Sequence, residues 1–183
     1  VKPLLTFEKV SCRRGGRLLF EDLDLELGAG EALHLAGPNG SGKSSLIRLA
    51  AGVLRAERGR VDRADVALAD EHLALDRELP LARALRFWGG RTDEAMERIG
   101  LTHLANVPVR LLSTGQAKRA TLARVAASDA PLWLLDEPLN GLDTDGVSRL
   151  DAVVAEHLAS GGAVLAASHA PLGGTWSRLE LGA

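Results

Sequence analysis

The sequence predicts an α/β fold of the P-loop NTPase type: a parallel core sheet with helices on both faces, an N-terminal antiparallel β region and a small helical insertion. Three observations predict it. Ala32-Leu33-His34-Leu35-Ala36, Leu132-Trp133-Leu134-Leu135-Asp136 and Ala163-Val164-Leu165-Ala166-Ala167-Ser168 are short, largely apolar runs of the kind that build strands buried on both faces. Helical periodicity follows the first run over residues 45–51 and separates the other two from about 144 to 158. Between the first strand and its helix, Gly37-Pro38-Asn39-Gly40-Ser41-Gly42-Lys43-Ser44 fits G-x-x-x-x-G-K-[ST]. In that spacing the glycines let successive backbone N–H groups turn inward around a β-phosphate, Lys43 reaches the β/γ oxygens and the Ser44 hydroxyl can ligate Mg²⁺. Ser45 then opens a helix whose N-terminus points at the phosphates.

Ahead of this core, residues 4–10, the basic glycine turn Arg13-Arg14-Gly15-Gly16-Arg17, residues 18–20 and the alternation Leu23-Asp24-Leu25-Glu26-Leu27 read as a half-exposed antiparallel sheet. Val61 and Val66-Ala67-Leu68-Ala69 would add to it after the Gly59 turn. Residues 1–30 and 59–69 are therefore assigned to the antiparallel region, and 31–58 with 129–183 to the phosphate-binding core. Between His72 and Val109 the period becomes helical, with 79–88 and 92–99 as candidate helices broken by Gly89-Gly90 and Gly100. The helical subdomain spans about 72–128.

Two further stretches carry chemistry. Asp136 and Glu137 follow directly on a buried strand, at the edge where open α/β sheets bind ligands, and Pro138 stiffens the turn. Asp136 is placed to hold Mg²⁺ and Glu137 to act as the base or polariser for an attacking water. Leu112-Ser113-Thr114-Gly115-Gln116 precedes a cation-rich and alanine-rich helix, so that a serine N-cap and free N–H groups make a second anion-ready helix start. Of the remaining histidines, His34 reads as a satisfied core residue, while His103 and His157 read as solvated.

Composition narrows the partners. The chain has 183 residues, enough for one domain with an inserted subdomain. Its 22 basic and 24 acidic residues are mixed along the chain and give a net charge of −2, which offers no field for nucleic acid or an anionic membrane surface. The single cysteine, Cys12, cannot close an internal disulfide, and a reducing compartment is expected. There is no signal peptide and no apolar run of about 18 residues, so the chain is expected neither to cross nor to enter a bilayer.

Taken together, Gly37 to Ser44, Leu112 to Gln116, Leu132 to Glu137, Asn140-Gly141-Leu142-Asp143 and Ala167-Ser168-His169 resemble, in order and spacing, the stations of an ABC-transporter nucleotide-binding domain. The resemblance covers essentially the whole chain. It implies that two copies sandwich two ATP molecules head to tail, so that Ser113, Thr114, Gly115 and Gln116 meet the nucleotide held by the opposite subunit. It also implies that Asp143 belongs to the loop that communicates across the dimer, and that His169 contacts the γ-phosphate and holds Glu137 with its water. Two positions depart from the family pattern. Asp70-Glu71-His72 stands where the family usually has a glutamine, so His72, or Glu71, would make the Mg²⁺ or water contact. Arg14 stands where an aromatic usually stacks on adenine, and its guanidinium could stack instead.

Within that family the chain is most similar to ATP-binding subunits of the haem exporter of cytochrome c biogenesis. The compact length, the histidine in the usual glutamine region, and Ser168-His169-Ala170-Pro171-Leu172-Gly173 preceded by Leu142-Asp143-Thr144-Asp145-Gly146-Val147 carry this resemblance. It implies ATP hydrolysis on the cytoplasmic face of a bacterial inner membrane, coupled to integral membrane subunits and powering haem-chaperone release or haem export for c-type cytochrome assembly. The partner would dock on the helical insertion and the His72 loop, where Leu75, Leu79, Leu81, Phe87 and Trp88 are candidates either for that surface or for the insertion's own core. No direct haem binding is expected, because the sequence has no Cys-x-x-Cys-His. The competing readings are an ABC ATPase for another solute, a soluble ABC ATPase of DNA repair or translation, and a non-hydrolysing nucleotide binder. Glu137 speaks against the last.

Overall fold

The structure, a computed structural model, describes residues 2–170 and 172–182. Pro171, part of the stretch that carries the haem-exporter resemblance, lies outside the described residues. The chain opens with β1 (Leu5–Arg14) and β2 (Arg17–Leu27), a hairpin turned by Gly15 and Gly16, both at positive φ. Such a two-residue turn matches the twist of the strands it joins. There follow β3 (Ala32–Ala36), α1 (Lys43–Ala51), β4 (Arg58–Arg63), β5 (Val66–Ala69), α2 (Leu81–Arg86), α3 (Thr92–Arg98), α4 (Thr114–Ala127), β6 (Leu132–Asp136), α5 (Thr144–Ala159), β7 (Ala163–Ala167) and β8 (Ser177–Glu180). The first sheet is antiparallel in the order β2-β1-β4. The second runs β5-β6-β7-β3-β8, every neighbouring pair parallel.

All residues of β6 and β7 are buried, because each face of the parallel sheet meets a different core. Leu134, Leu165 and Leu35 face α1 and the antiparallel sheet, packing with Leu46, Ile47, Leu5 and Phe7. Trp133, Leu135, Val164 and Ala166 face the other way, toward α4, α5 and the helical insertion. Both cores carry the alternate side chains of one strand, which is why these strands read as continuous apolar runs.

That two-sided burial corrects the assignment of residues 66–69. They were expected in the antiparallel region, but β5 pairs with β6 in parallel, from Val66–Leu132 to Ala69–Leu135. The antiparallel ladder ends where the Ala64 N–H donates to Leu4 O, and β5 then divides its side chains: Ala67 and Ala69 enter one core, Val66 and Leu68 the other. A strand of the half-exposed sheet would have one polar face. β8 was not foreseen. It is a short edge strand of Ser-Arg-Leu-Glu, mostly exposed, paired in parallel with β3 and packing only Leu179 against the core.

The insertion separates its apolar residues as the alternatives allowed. Leu75 and Leu81 are buried and Leu79 packs against them, whereas Phe87 is 82% and Trp88 50% exposed. His34 is satisfied as expected, its Nε2 lying 2.7 Å from Ser168 O. His103 is exposed.

His157 is not solvated. Its ring stacks on Trp133 with centroids 3.8 Å apart, and its Nε2–H donates to Pro131 O at 3.2 Å. Burial pushes its pKa below the ordinary 6.5. The unfolded chain therefore takes up this proton more readily, so the stabilising share of His157 is complete above the unfolded value and is lost as pH falls from there through the lowered folded value. Denaturant midpoints should accordingly drop between about pH 7.5 and 5.5, and His157→Phe, which keeps the stack, should reduce that drop. An unchanged pH slope in the variant would assign the effect elsewhere.

Candidate functional site

The carboxyl ends of β3 and β6 bring the phosphate-binding stretch and the paired carboxylates together. The loop leaves β3 through Gly37 at φ 138, where a Cβ would stand 2.3 Å from Leu181 O just beyond β8. Gly42, at φ 107, turns the chain into α1, and a left-handed Gly52 ends that helix. Lys43 is buried, and its ammonium donates to Gly37 O at 2.7 Å and Pro38 O at 3.1 Å. The loop thus closes on its own lysine. Ser44 Oγ donates to Asp136 Oδ1 at 3.1 Å. Asp136 is 5% exposed, and burial raises its pKa even though the Ser44 hydrogen bond opposes the rise.

Glu137 takes φ 48, a left-handed conformation that non-glycine residues rarely adopt and that collects at functional sites. Its N–H donates to Ala167 O at 2.8 Å, and its Oε1 lies 3.2 Å from His169 Nε2. Around these groups lies an open cavity of about 560 Å³, whose lining includes Arg14, Asn39, Gly40, Lys43, Ser45 and His169. That volume suits a nucleotide. Leu19 and Asn140 also line it. Asn140 stood inside a motif without an assigned role, and no signal in the sequence pointed to Leu19.

Beside it, Ser44, Asp136, Glu137, Asp70, Glu71 and Lys118 line an acidic cavity of about 330 Å³. Burial lowers the Lys118 pKa, against the pull of the four carboxylates. Asp70 and Glu71 reach this cavity, but His72 does not line it. The His72 side chain is 72% exposed, with Nδ1 3.1 Å from Asp70 Oδ2. Glu71 is engaged by Arg48 at 2.8 Å.

The second anion-ready helix start is well formed. Ser113 caps α4, its Oγ accepting from the Gln116 N–H at 3.3 Å while Gln116 Oε1 accepts from the Ser113 N–H at 2.9 Å. Gly115 approaches Gly141 O so closely that a Cβ would lie 2.8 Å from it. Asp143 caps α5 through the Gly146 N–H at 2.8 Å and pairs with Arg119, which also holds Asp145. Ser113, Gly115, Gln116, Arg119, Asp143 and His103 line a separate cavity that includes none of the phosphate-loop residues. Thr114 instead lines the acidic one. One molecule therefore carries the Gly37–Ser44 loop at one cavity and the Ser113 helix start at another.

A family model of ABC transporters matches residues 20–140. The chain belongs to the ABC transporter family. Like its relatives it is an ATP-binding, ATP-hydrolysing domain. This ABC ATPase is 57% identical over 174 residues to the cytochrome c biogenesis ATP-binding export protein CcmA of Sphingopyxis alaskensis, covering 91% of this chain and 90% of that protein. The CcmA of Novosphingobium aromaticivorans is 58% identical over 166 residues, covering 89% and 87%. Among solved structures, the ATP-binding subunit of an ABC transporter superposes with a TM-score of 0.82 at 24% identity, covering 91% of this chain and 79% of that one. A nucleotide-free ATP-binding cassette gives 0.75 at 21% identity, with coverage of 92% and 82%. Both show the fold. No helix among the described residues is long and apolar enough to cross a membrane.

Proposed function

We propose that this ABC ATPase is the ATP-hydrolysing subunit of a haem-exporting complex of cytochrome c biogenesis, working peripherally on the cytoplasmic face of a bacterial inner membrane with integral membrane subunits. The observation that carries this reading is the 57% identity, over 91% of the chain, to a protein named for cytochrome c biogenesis and export. ATP binds in the cavity of Arg14, Lys43 and Ser45, with the Arg14 guanidinium as the adenine platform. Lys43 exchanges the Gly37 and Pro38 carbonyls for phosphate oxygens. Ser44 and Asp136 offer two hard oxygen donors side by side, which fits Mg²⁺ with the nucleotide phosphates and waters as its other ligands. When bound there, Mg²⁺ neutralises charge on the transferring phosphoryl group.

Glu137 takes the proton of the attacking water, and His169 holds the carboxylate through its 3.2 Å contact. Ser113, Thr114, Gly115 and Gln116 of one copy complete the phosphate site of the other, which gives the separate anion cavity an occupant. The dimer is thus the ATP-bound form, with Asp143 near the junction. Exposed Phe87 and Trp88 form the surface for the membrane subunits. Trp88 Nε1–H donates to Ala74 O at 3.0 Å, and Arg124 lies over its ring at 4.8 Å, so this surface is tied to the segment after His72.

Depleting this chain from cells that make c-type cytochromes tests the assignment. Haem-stained bands should disappear while the apoproteins are still made, and return with the parent chain. Unchanged bands would leave an ABC ATPase for another solute.

A further inference from the structure

We propose that Lys118 is a positioning residue for the Glu137 carboxylate and links α4 mechanically to the site of hydrolysis. The proposal rests on the reading of Glu137 as the catalytic base. Its ground is the way β6 outlasts β5. The last register pair between them is Ala69–Leu135, whereas β6 continues beside β7 to Asp136–Ala167. The peptide joining Asp136 to Glu137 therefore sits where β5 has already turned away. Its N–H donates to Ala167 O at 2.8 Å on the β7 side. In a trans peptide the carbonyl faces the other way, into the space β5 has left. Lys118 Nζ fills that space, donating to Asp136 O at 3.3 Å.

One peptide unit is thus gripped from both sides, and the residue it delivers is Glu137 at φ 48. A non-glycine residue keeps that conformation only where its surroundings enforce it. Lys118 supplies half of the enforcement, in place of a missing strand. A second cation of α4, Arg124, donates to the Leu68 carbonyl of β5 at 2.5 Å, so the helix holds both strands near their carboxyl ends. The same helix begins at Ser113, the cap of the anion site offered to the second copy. Any shift of α4 against β6 moves the Asp136 carbonyl and turns the Glu137 side chain. Docking of a phosphate at Ser113 is thereby felt at the base without passing through the phosphate loop.

Lys118→Met keeps the length and apolar stem but removes the donor and a partly buried charge, and a thermal midpoint close to the parent's checks that the fold is kept. In the transporter purified with its membrane subunits, kcat should fall by about tenfold to a hundredfold while the KM for ATP stays within about twofold, the pattern of a misplaced catalytic group. Lys118→Arg, which can still donate to the carbonyl, should recover most of the loss. Parental kcat in Lys118→Met, a loss carried by KM, or no recovery with arginine would overturn the proposal. Glu137→Gln measured alongside separates the two readings: if it is inactive and Lys118→Met is not, only the lysine's role fails. If Glu137→Gln itself turns over normally, the assignment of the base fails and takes the proposal with it.

Discussion

Lys43→Ala should abolish ATP turnover by removing ATP binding. The ammonium is the one cation buried inside the loop, and it already donates to Gly37 O and Pro38 O. On binding, those bonds are replaced by charge-assisted bonds to phosphate oxygens, each worth about 1.5–3 kcal/mol. Losing one or two of them weakens affinity by roughly tenfold to ten-thousandfold. The alanine variant also leaves two loop carbonyls without their donor, so the loop is no longer held ready for the nucleotide. Titration of a fluorescent ATP analogue checks this directly. The two cores on either side of the sheet do not include the ammonium, so the thermal midpoint should move little. Parental affinity in the variant would mean that the backbone N–H groups alone hold the phosphates.

The phosphate loop and the paired carboxylates were legible as candidates because each is a run of adjacent residues, whereas His169 stood out only through the order of stations shared with the ABC family, its contact with Glu137 joining two separate segments. The buried strands were legible for the same reason as the loop, since two-sided burial leaves an unbroken apolar run. What was hidden depends on contacts between distant segments. Val66–Ala69 looks alike in either sheet until its side chains are seen entering both cores. β8 has no side-chain signature, yet Leu181 beyond it closes on Gly37 and makes glycine obligatory there for a reason beyond the motif. His157 carries no local sign of Trp133, which lies on another element. Lys118 is one of several cations in an alanine-rich helix, and only the early end of β5 gives its ammonium a carbonyl to meet.

Glu137→Gln should bind ATP as the parent does and lower kcat by about a hundredfold to ten-thousandfold, the usual contribution of a positioned base. The amide has the shape of the carboxylate and can still meet His169, so the φ 48 backbone and the cavity are kept. Only the capacity to take a proton is lost. With binding intact and turnover blocked, ATP should hold two copies together, and size-exclusion chromatography with ATP should show a dimer that the parent forms only transiently. The neighbouring acids are poor substitutes for geometric reasons. Asp136 is buried against Ser44, Glu71 is engaged by Arg48, and Asp70 accepts from the His72 N–H at 2.9 Å. Of the four carboxylates lining the acidic cavity, Glu137 alone also lines the nucleotide cavity beside His169. A glutamine variant with parental turnover would therefore require one of the engaged acids to leave its partner, and the base would have to be sought in Asp70 or Glu71.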